Sequence, residues 1–385
     1  MHDVEVLIHF ADDPTRVYQL LPWLPVVERL DVVHRVGVVT RDPATAEIVR
    51  RRTHLPVLDV PEFRELADLY ADLDAKVVLY VNNGMRNFQS LLDGRMLHVH
   101  INHGESDKQS MVSNNAKAYD RVFVAGEAAV QRHVGGLMAF DAAKLVRVGR
   151  PQLDLRPEPL LAPSDRRTVL YAPTWEGDAD YNDYTSVDVF GPEIVRAVLA
   201  VPDVRLVYKP HPRITTSRTP AIRAAHRAIL NQLERAAEAE PQAGHTAVCE
   251  GDILALFPGC DAMVTDVSSV GLDWLYLQTD KPILVTDRHD DPERLRTEAP
   301  VSRCADVVDS TSLAGLTTLL DSRLDHDEHL VWRRAMRHHY FDELGVGKST
   351  VRFIEAVGEL VALRDRLLGE LGGRLPGDEL GAATA

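Results

Sequence analysis

The sequence predicts an α/β protein built from two successive domains, each with a parallel β-sheet. Short, nearly continuous apolar runs alternate with helix-like stretches, which is typical of strands covered by helices on both faces. The alternation stops at a segment rich in proline and charge, residues 155–167, and then starts again. Two domains joined near residue 155 imply a cleft between them, with ligand sites beyond the carboxyl ends of the strands.

The first domain is predicted over residues 1–154. Its strands are six β-branched runs, at 4–10, 32–40, 76–82, 97–103, 121–126 and 144–149. Helix-like segments lie between several of them, for example at 18–30 and 61–73. Residues 155–167, "LRPEPLLAPSDRR", have no clear period and are predicted to be the linker.

The second domain is predicted over residues 168–370. Its strands are the runs at 168–173, 204–212, 261–266 and 281–287, followed by mostly helical residues from 313 onward. Residues 371–385, "LGGRLPGDELGAATA", are predicted to be a flexible tail.

Composition excludes several classes of protein. The 385 residues are 45% hydrophobic and 26% charged, and no apolar run approaches the ~20 residues that span a bilayer. The N-terminus lacks the layout of a secretory signal, and the three cysteines form no C-x-x-C pair, so we expect a cytoplasmic, reduced protein. The formal net charge of −15 disfavours nucleic acid as a partner.

The stretch "VHINHGESDKQS" (99–110) ends a strand in His103 and Gly104. An unperturbed imidazole titrates near pH ~6.5, so His103 is a candidate general base, and Gly104 would let the backbone turn sharply. The alternative is a histidine that hydrogen-bonds a neighbouring loop.

The stretch "YKPHPR" (208–213) places Lys209, His211 and Arg213 at the end of another strand. The prolines around His211 favour extended backbone, and three potential cations in five residues suit a phosphate. A proline-edged surface loop explains the same pattern.

Two further strand ends carry polar residues. Ser268 and Ser269, in "VTDVSSVGLDWLYL" (264–277), are predicted to cap a helix whose N-terminus could bind an anion, although capping alone would explain them. Thr174, in "YAPTWEG" (171–177), follows the first strand of the second domain.

Some motifs are incomplete. "LGVGKST" (344–350) lacks the first glycine of a P-loop because Asp342 occupies that position. No zinc-ligand spacing and no G-x-S-x-G elbow is present. No D-x-D stretch stands at a strand end, so we expect no obligatory metal or other cofactor, with a divalent ion left open as an alternative.

Taken in order, the strand ends resemble those of the CDP-glycerol glycerophosphotransferases, the teichoic-acid primases and polymerases. The similar stretches, between residues 98 and 350, are "NHGESDK", "GRPQLD", "LYAPTWEG", "YKPHPR", "VTDVSSVGLDWLYLQTDKPILV" and "FDELGVGKST". The resemblance implies a GT-B-like architecture, with two Rossmann-like domains whose parallel sheets face each other across a cleft. The C-terminal domain would hold the nucleotide donor and the N-terminal domain the acceptor.

The resemblance also assigns roles to residues. His103 matches the histidine of the family's H-G-T-x-x-K stretch, the proposed base, and His211 matches that of K-x-H-P, which assists the donor phosphates. The remaining donor-side residues would be Lys209, Arg213, Thr174, Ser268, Ser269 and Asp273. The acceptor-side residues would be Gly104, Glu105, Asp107 and Lys108.

The chain departs from the family pattern after His103-Gly104, where Glu105-Ser106-Asp107 precedes Lys108. Two carboxylates are thereby added at the expected acceptor entrance. Asp107 or Glu105 would be able to orient the imidazole of His103, and the acceptor would differ from a plain glycerol-phosphate chain.

The expected function is transfer of glycerol phosphate from CDP-glycerol to an acceptor hydroxyl, with release of CMP, in the synthesis of a teichoic-acid-like wall or capsule polymer. CDP-ribitol or another CDP-alditol is an alternative donor, since few pocket contacts would separate them. Two other functions stay open: a glycosyltransferase or epimerase that uses a UDP-sugar, and a non-catalytic nucleotide-binding homologue.

A teichoic-type acceptor is lipid-linked, so the resemblance implies peripheral contact with the inner face of the membrane. The local candidate is "VWRRAMRHHYF" (331–341), which combines aromatic residues with Arg333, Arg334 and Arg337. An ordinary helix that packs within the protein is the alternative.

Overall fold

A computed structural model describes residues 4–177 and 179–372 of the chain. These residues form two compact units. Within the described ranges, the first unit comprises residues 4–104, 113–155 and 347–372, and the second comprises 105–112 and 156–346.

Among the described residues, the first unit is built on a seven-stranded sheet whose strand pairs are all parallel. Its strands are β1 Val6–Phe10, β2 Val36–Thr40, β3 Val57–Asp59, β4 Val77–Tyr80, β5 Leu97–His100, β6 Arg121–Val124 and β7 Leu145–Arg147. They lie in the order β3-β2-β1-β4-β5-β6-β7, so the winding reverses between β1 and β4. This doubly wound, Rossmann-like order creates a crevice at the carboxyl ends of those two strands.

The strands of this unit are apolar because both faces of the sheet are covered. Alternate side chains of β1 point to opposite faces, so Val6, Ile8 and Phe10 join one core while Leu7 joins the other. The helices that follow the strands are α1 Leu24–Asp31, α2 Pro43–Arg50, α3 Phe63–Asp72, α4 Asn87–Ser90 and α5 Glu127–Gly136.

The second unit repeats this topology. In the part of the chain that the structure describes, its six parallel strands are β8 Arg167–Ala172, β9 Val204–Tyr208, β10 Thr246–Ala247, β11 Ala262–Thr265, β12 Ile283–Thr286 and β13 Asp306–Val308. Their order is β10-β9-β8-β11-β12-β13, so the winding reverses between β8 and β11. The carboxyl ends of β8 and β11 therefore flank the crevice of this sheet.

Seven helices accompany the described strands of the second unit. They are α6 Gly191–Leu199, α7 Pro212–Thr215, α8 Pro220–Ala239, α9 Ser269–Leu277, α10 Pro292–Glu298, α11 Leu316–Asp325 and α12 Leu330–Phe341. One core packs Ile194 of α6 and Ile229 of α8 against Leu206 of β9. None of the described helices combines the length and the apolar character needed to cross a bilayer.

The last helix, α13 Ser349–Gly372, belongs to the first unit, whereas the sequence placed residues up to 370 in the second domain. Its Phe353 and Val357 are fully buried in the core of the first sheet. Asp154 accepts hydrogen bonds from the backbone N–H groups of Gly347 and Thr350, at 2.5 and 2.6 Å, and so fixes the approach to the helix. The apolar face of α13 packs against the first sheet. The local sequence could not indicate which of the two sheets this helix covers.

Residues 155–166, inside the predicted linker, carry no helix or strand. Of the predicted tail, residues 371 and 372 complete α13, and residues 373–385 lie outside the described residues.

Candidate functional site

Polar groups converge at the crevice of the second sheet. Thr174 follows β8, and Asp266 and Ser268 follow β11. The backbone N–H of Thr174 donates to Asp266 Oδ2 at 2.7 Å, so the two strand-end loops are tied together. The sequence predicted Thr174 and Ser268 as site residues, and the structure places both loops at this edge.

Asp266 is the centre of this arrangement. Its carboxylate also accepts hydrogen bonds from Thr286 Oγ1 at 2.6 Å and from the backbone N–H of Ser186 at 3.2 Å. Burial raises the pKa of Asp266 to about 6, although these donors pull it downward. Asp266 was missed by sequence analysis; the signal was a Thr-Asp pair at a strand end, just before the two serines.

Ser268 precedes the first turn of α9, but it does not cap the helix through its side chain. Its hydroxyl oxygen is buried and has no hydrogen-bond partner among the described residues. Ser269 is the first residue of the helix, and Asp273 is buried further along it. Capping by the side chain therefore does not explain Ser268, whose hydroxyl lies without a described partner at a helix N-terminus.

The end of β9 presents the predicted cations. Lys209 is buried, which lowers the pKa of its ammonium group, and it forms no ion pair or side-chain hydrogen bond with any described residue. His211 Nδ1 accepts a hydrogen bond from the backbone N–H of Arg213 at 3.2 Å, which leaves the proton of the neutral ring on Nε2.

Trp175 organises the same strand end from the loop after β8. The Arg213 guanidinium lies over the Trp175 ring, 3.7 Å from its centroid, and the His211 ring stacks on it with centroids 6.1 Å apart. Cation–π contact holds the Arg213 side chain without neutralising it. Sequence analysis did not select Trp175, because an aromatic residue after a strand usually indicates packing.

The segment after Gly104 lies in the second unit, which changes the role expected of Lys108. Its ammonium donates to Thr174 Oγ1 at 3.1 Å, although the sequence placed Lys108 on the acceptor side. Asp107 is buried and accepts a hydrogen bond from the Tyr340 hydroxyl of α12. The Asp107 carboxylate is thus engaged within the second unit, and Glu105 is buried there as well.

His103 lies in the first unit, beyond β5. The sharp turn occurs two residues earlier than predicted, at Asn102, whose φ of 54° is left-handed, and Gly104 does not have a positive φ. The Trp23 indole N–H donates to the Asn102 carbonyl at 2.6 Å, and the His103 N–H donates to Asn102 Oδ1 at 2.8 Å. Asparagine tolerates this backbone conformation better than most residues.

The environment of the His103 ring keeps it neutral. Burial lowers its pKa to about 4, although a hydrogen bond to the Val81 backbone opposes this shift. Nδ1 has no hydrogen-bond partner in the described part of the chain. The ring therefore keeps one nitrogen able to accept a proton.

The arginines of α12 are engaged inside the second unit, contrary to the predicted membrane contact. Arg333 is buried and bonds Asp327 and the Thr279 carbonyl. Arg334 pairs with Asp280, and Arg337 stacks on Tyr276, 4.5 Å from the ring centroid. Since their charges serve local contacts, α12 is better explained as an ordinary packed helix.

Within residues 4–177 and 179–372, no group of three or more His, Cys, Asp or Glu side chains is arranged to hold a metal ion.

Comparison with solved structures supports the GT-B-like fold. The chain is similar to a putative UDP-N-acetylglucosamine 2-epimerase from Listeria monocytogenes, with a TM-score of 0.63, 16% identity, and coverage of 93% of this chain and 96% of that one. It is also similar to the wall teichoic acid polymerase TagF, with a TM-score of 0.58, 14% identity, and coverage of 94% and 90%. A UDP complex of S. aureus MnaA has a TM-score of 0.58, 13% identity, and coverage of 94% and 97%. At these identities the similarity shows the fold, and it confirms the predicted class.

Family membership rests on the sequence. Among curated proteins, none matches the chain. The model of the CDP-glycerol:poly(glycerophosphate) glycerophosphotransferase family matches residues 97–292, just over half of the 385 residues. This range contains the loops of His103, Thr174, His211 and Ser268 described above. The chain therefore belongs to the CDP-glycerol:poly(glycerophosphate) glycerophosphotransferase family.

Proposed function

We propose that this protein transfers glycerol phosphate from CDP-glycerol to an acceptor hydroxyl, with release of CMP. The observation that carries the proposal is Ser268, whose buried hydroxyl has no partner in the described structure and stands at the N-terminus of α9. The helix follows β11, at the crevice where the winding of the sheet reverses. Such a position favours the phosphates of a nucleotide.

The donor phosphates would be bound at the strand ends of the second unit. Ser268 and Ser269 would donate to the pyrophosphate, with Thr174 nearby. Lys209 and Arg213 would neutralise the phosphoryl oxygens, while the Nε2–H of His211 would donate to charge that develops during transfer. Asp273, inside α9, is retained in the donor set only through the family resemblance.

The base would be His103, from the first unit. Because its pKa is about 4, the imidazole is neutral at pH 7 and Nδ1 can accept the proton of the acceptor hydroxyl. The resulting imidazolium is disfavoured by burial, so the proton transfer must be concerted with attack or assisted by the phosphate charge. Gly104 and Glu105 remain proposed acceptor-side residues.

The proposed transfer needs no cofactor, because the bonds formed and broken balance between the two substrates. The acceptor oxygen loses its proton to His103 and attacks the β-phosphorus of CDP-glycerol. The bond from that phosphorus to the bridging oxygen breaks, and its electron pair leaves with CMP. The product is a phosphodiester, and positioning together with electrostatic stabilisation would supply most of the rate.

We further propose that the acceptor belongs to a teichoic-acid-like polymer. Support comes from the family description, which names poly(glycerophosphate), and from the structural similarity to the polymerase TagF. A lipid-linked acceptor would bring the protein to the inner face of the membrane, although α12 does not offer free arginines for that contact.

A second candidate function is chemistry on a UDP-sugar. It is favoured by the similarity to the putative Listeria monocytogenes epimerase and to MnaA, which was solved with UDP. A nucleotide site at the same sheet crevice would serve either reaction, since the fold alone does not specify the base.

Turnover with defined donors separates these functions. The protein is incubated with CDP-glycerol, CDP-ribitol or UDP-N-acetylglucosamine in the presence of a glycerophosphate oligomer, and the nucleotide products are quantified. We expect CMP and a new phosphodiester from CDP-glycerol. Conversion of the UDP-sugar alone would favour the second candidate, and binding of CDP-glycerol without CMP release would identify a non-catalytic homologue.

A further inference from the structure

Lys108 is a buried cation without a counter-ion. Its side chain belongs to a residue that is 8% exposed, and its hydrogen bond to Thr174 Oγ1 at 3.1 Å goes to a neutral hydroxyl. It forms no ion pair with any carboxylate of the described residues. Burying an unpaired ammonium is costly, so proteins seldom keep one unless a ligand supplies the opposite charge.

The acidic groups near Lys108 are already engaged. Asp266 accepts from Thr174, Ser186 and Thr286, and Asp183 accepts from Arg288 at 3.0 Å. These two carboxylates attract the ammonium only from a distance, and the Tyr184 ring centroid lies 5.8 Å from Nζ. As a result, burial prevails and lowers the pKa of Lys108 to about 8.

Lys108 is held in this place by its neighbours. Asp107 bonds the Tyr340 hydroxyl, which in turn accepts from the backbone N–H of Val301 at 3.0 Å. On the other side, Gln109 donates to Glu298 at 3.3 Å. Asp107, which departs from the family pattern, and Gln109 therefore bond other residues of the second unit on either side of Lys108.

We propose that Lys108 binds the phosphates of the nucleotide donor, beside Thr174 and Ser268, rather than the acceptor. Thr174 is the link, because its hydroxyl receives the Lys108 ammonium while its N–H bonds Asp266, two residues before Ser268. The ammonium and the free hydroxyl thus belong to adjoining loops at one edge of the sheet. This inference rests on the proposed function, since it deepens the description of the same donor site.

The test uses K108M, which keeps the length of the side chain and removes its charge. The control is K281M, which removes the same charge just before β12, at the amino end of the sheet, where Lys281 bonds the Cys260 carbonyl. Binding of CDP and of inorganic pyrophosphate is measured by calorimetry at pH 7.5. We expect K108M to weaken both about 10- to 100-fold, the loss of one charge-assisted bond, and K281M to change neither.

The melting temperature distinguishes a ligand-binding Lys108 from a structural one, because removing a structural lysine would lower it. Because K108M removes a buried, unpaired charge, its melting temperature without ligand should equal or exceed that of the parent. If K108M does not fold, K108R replaces it. The parent is expected to lose CDP affinity above about pH 8, as Lys108 loses its proton, and this decline should be smaller in K108R because arginine stays charged.

The proposal would be overturned if K108M bound both anions with wild-type affinity or if the parent bound neither anion. It would also be overturned if the CDP affinity of K108R declined with pH as that of the parent does. A loss of acceptor affinity with unchanged anion binding would return Lys108 to the acceptor side. Failure of the proposed function would give a different result. Pyrophosphate binding would still depend on Lys108, but incubation with CDP-glycerol would release no CMP.

Discussion

The Asp266 carboxylate, just after β11, bonds Thr174 and Ser186 in the connection after β8 and Thr286 at the end of β12. In the proposed donor site, these bonds would position Thr174, so Asp266 would act through its neighbours rather than on the substrate. Its burial has a measurable consequence, because a carboxylate in this environment holds its proton more tightly than it does in the unfolded chain.

The substitution D266N should change how stability depends on pH. The pKa of Asp266 rises from 3.8 to about 6 on folding, so its contribution to stability is complete below pH 3.8 and is lost as the pH rises through about 6. The loss corresponds to about 3 kcal/mol at ~1.36 kcal/mol per pH unit. Urea unfolding from pH 4 to 7.5 should show the parent losing stability relative to D266N. Parallel profiles would mean that Asp266 does not titrate in this range.

His103 is the proposed general base, so its replacement should affect the chemical step. H103A should lower turnover about 10²–10⁴-fold, as expected for a lost general base, while the affinity for CDP-glycerol stays unchanged. The exposed His54, in the same unit, provides the control H54A, which should keep normal turnover. Near-normal turnover of H103A, or weaker donor binding, would remove His103 from this role.

At the residue scale, sequence analysis predicted which strand ends carry the polar groups, but not how those groups are connected. Histidine and serine were recognisable because of their position after apolar runs. The left-handed turn at Asn102 and the attachment of Asp107 to Tyr340 were not, since the first depends on local backbone geometry and the second joins residues 233 positions apart. The placement of Lys108 followed from the same long-range contact.

At the scale of elements, the longer buried strands were predictable, whereas of the four described edge strands only β7 was predicted. Each of the ten predicted apolar runs overlaps a strand, although the bounds differ; β8, for example, begins at Arg167, inside the predicted linker. The missed strands β3, β10 and β13 have two or three residues each and lie at sheet edges. With so few residues, they show no period to detect. The position of α13 was unpredictable for a different reason, because an apolar helix face does not specify which sheet it covers.

The packing of α13 gives a stability prediction. Phe353 is fully buried, and its ring lies 5.2 Å from Trp23 and 6.0 Å from Phe123, centroid to centroid. F353A should therefore destabilise the first unit by about 3–5 kcal/mol, which thermal or urea unfolding would detect. The control V351A, at a position in the same helix that is 50% exposed, should have little effect. Equal stability of both variants would contradict the assignment of α13 to the first core.

At the scale of the whole molecule, an acidic protein contains a locally positive site. The net charge is −15, yet the buried Lys108 bonds the hydroxyl of Thr174, after β8, while Arg213 and the buried Lys209 follow β9 of the same sheet. Two Rossmann-like sheets and family membership agree with the α/β alternation read from the sequence.

We propose that the strand ends of the second unit hold a CDP-alditol through the N-terminus of α9. The direct measurement is the affinity of CDP-glycerol for the parent and for the double variant S268A/S269A, on protein shown to be folded. The control is S349A, whose hydroxyl is also buried without a described partner at a helix N-terminus, but in the first unit.

Charge-assisted hydrogen bonds contribute roughly 1.5–3 kcal/mol each, so losing two of them should weaken CDP-glycerol binding by about 10²- to 10⁴-fold. Its folding should be little affected, because the Ser268 side chain makes no capping bond. S349A should bind as the parent does. Equal affinity of S268A/S269A and the parent would contradict the claim, since the diphosphate would then be held elsewhere.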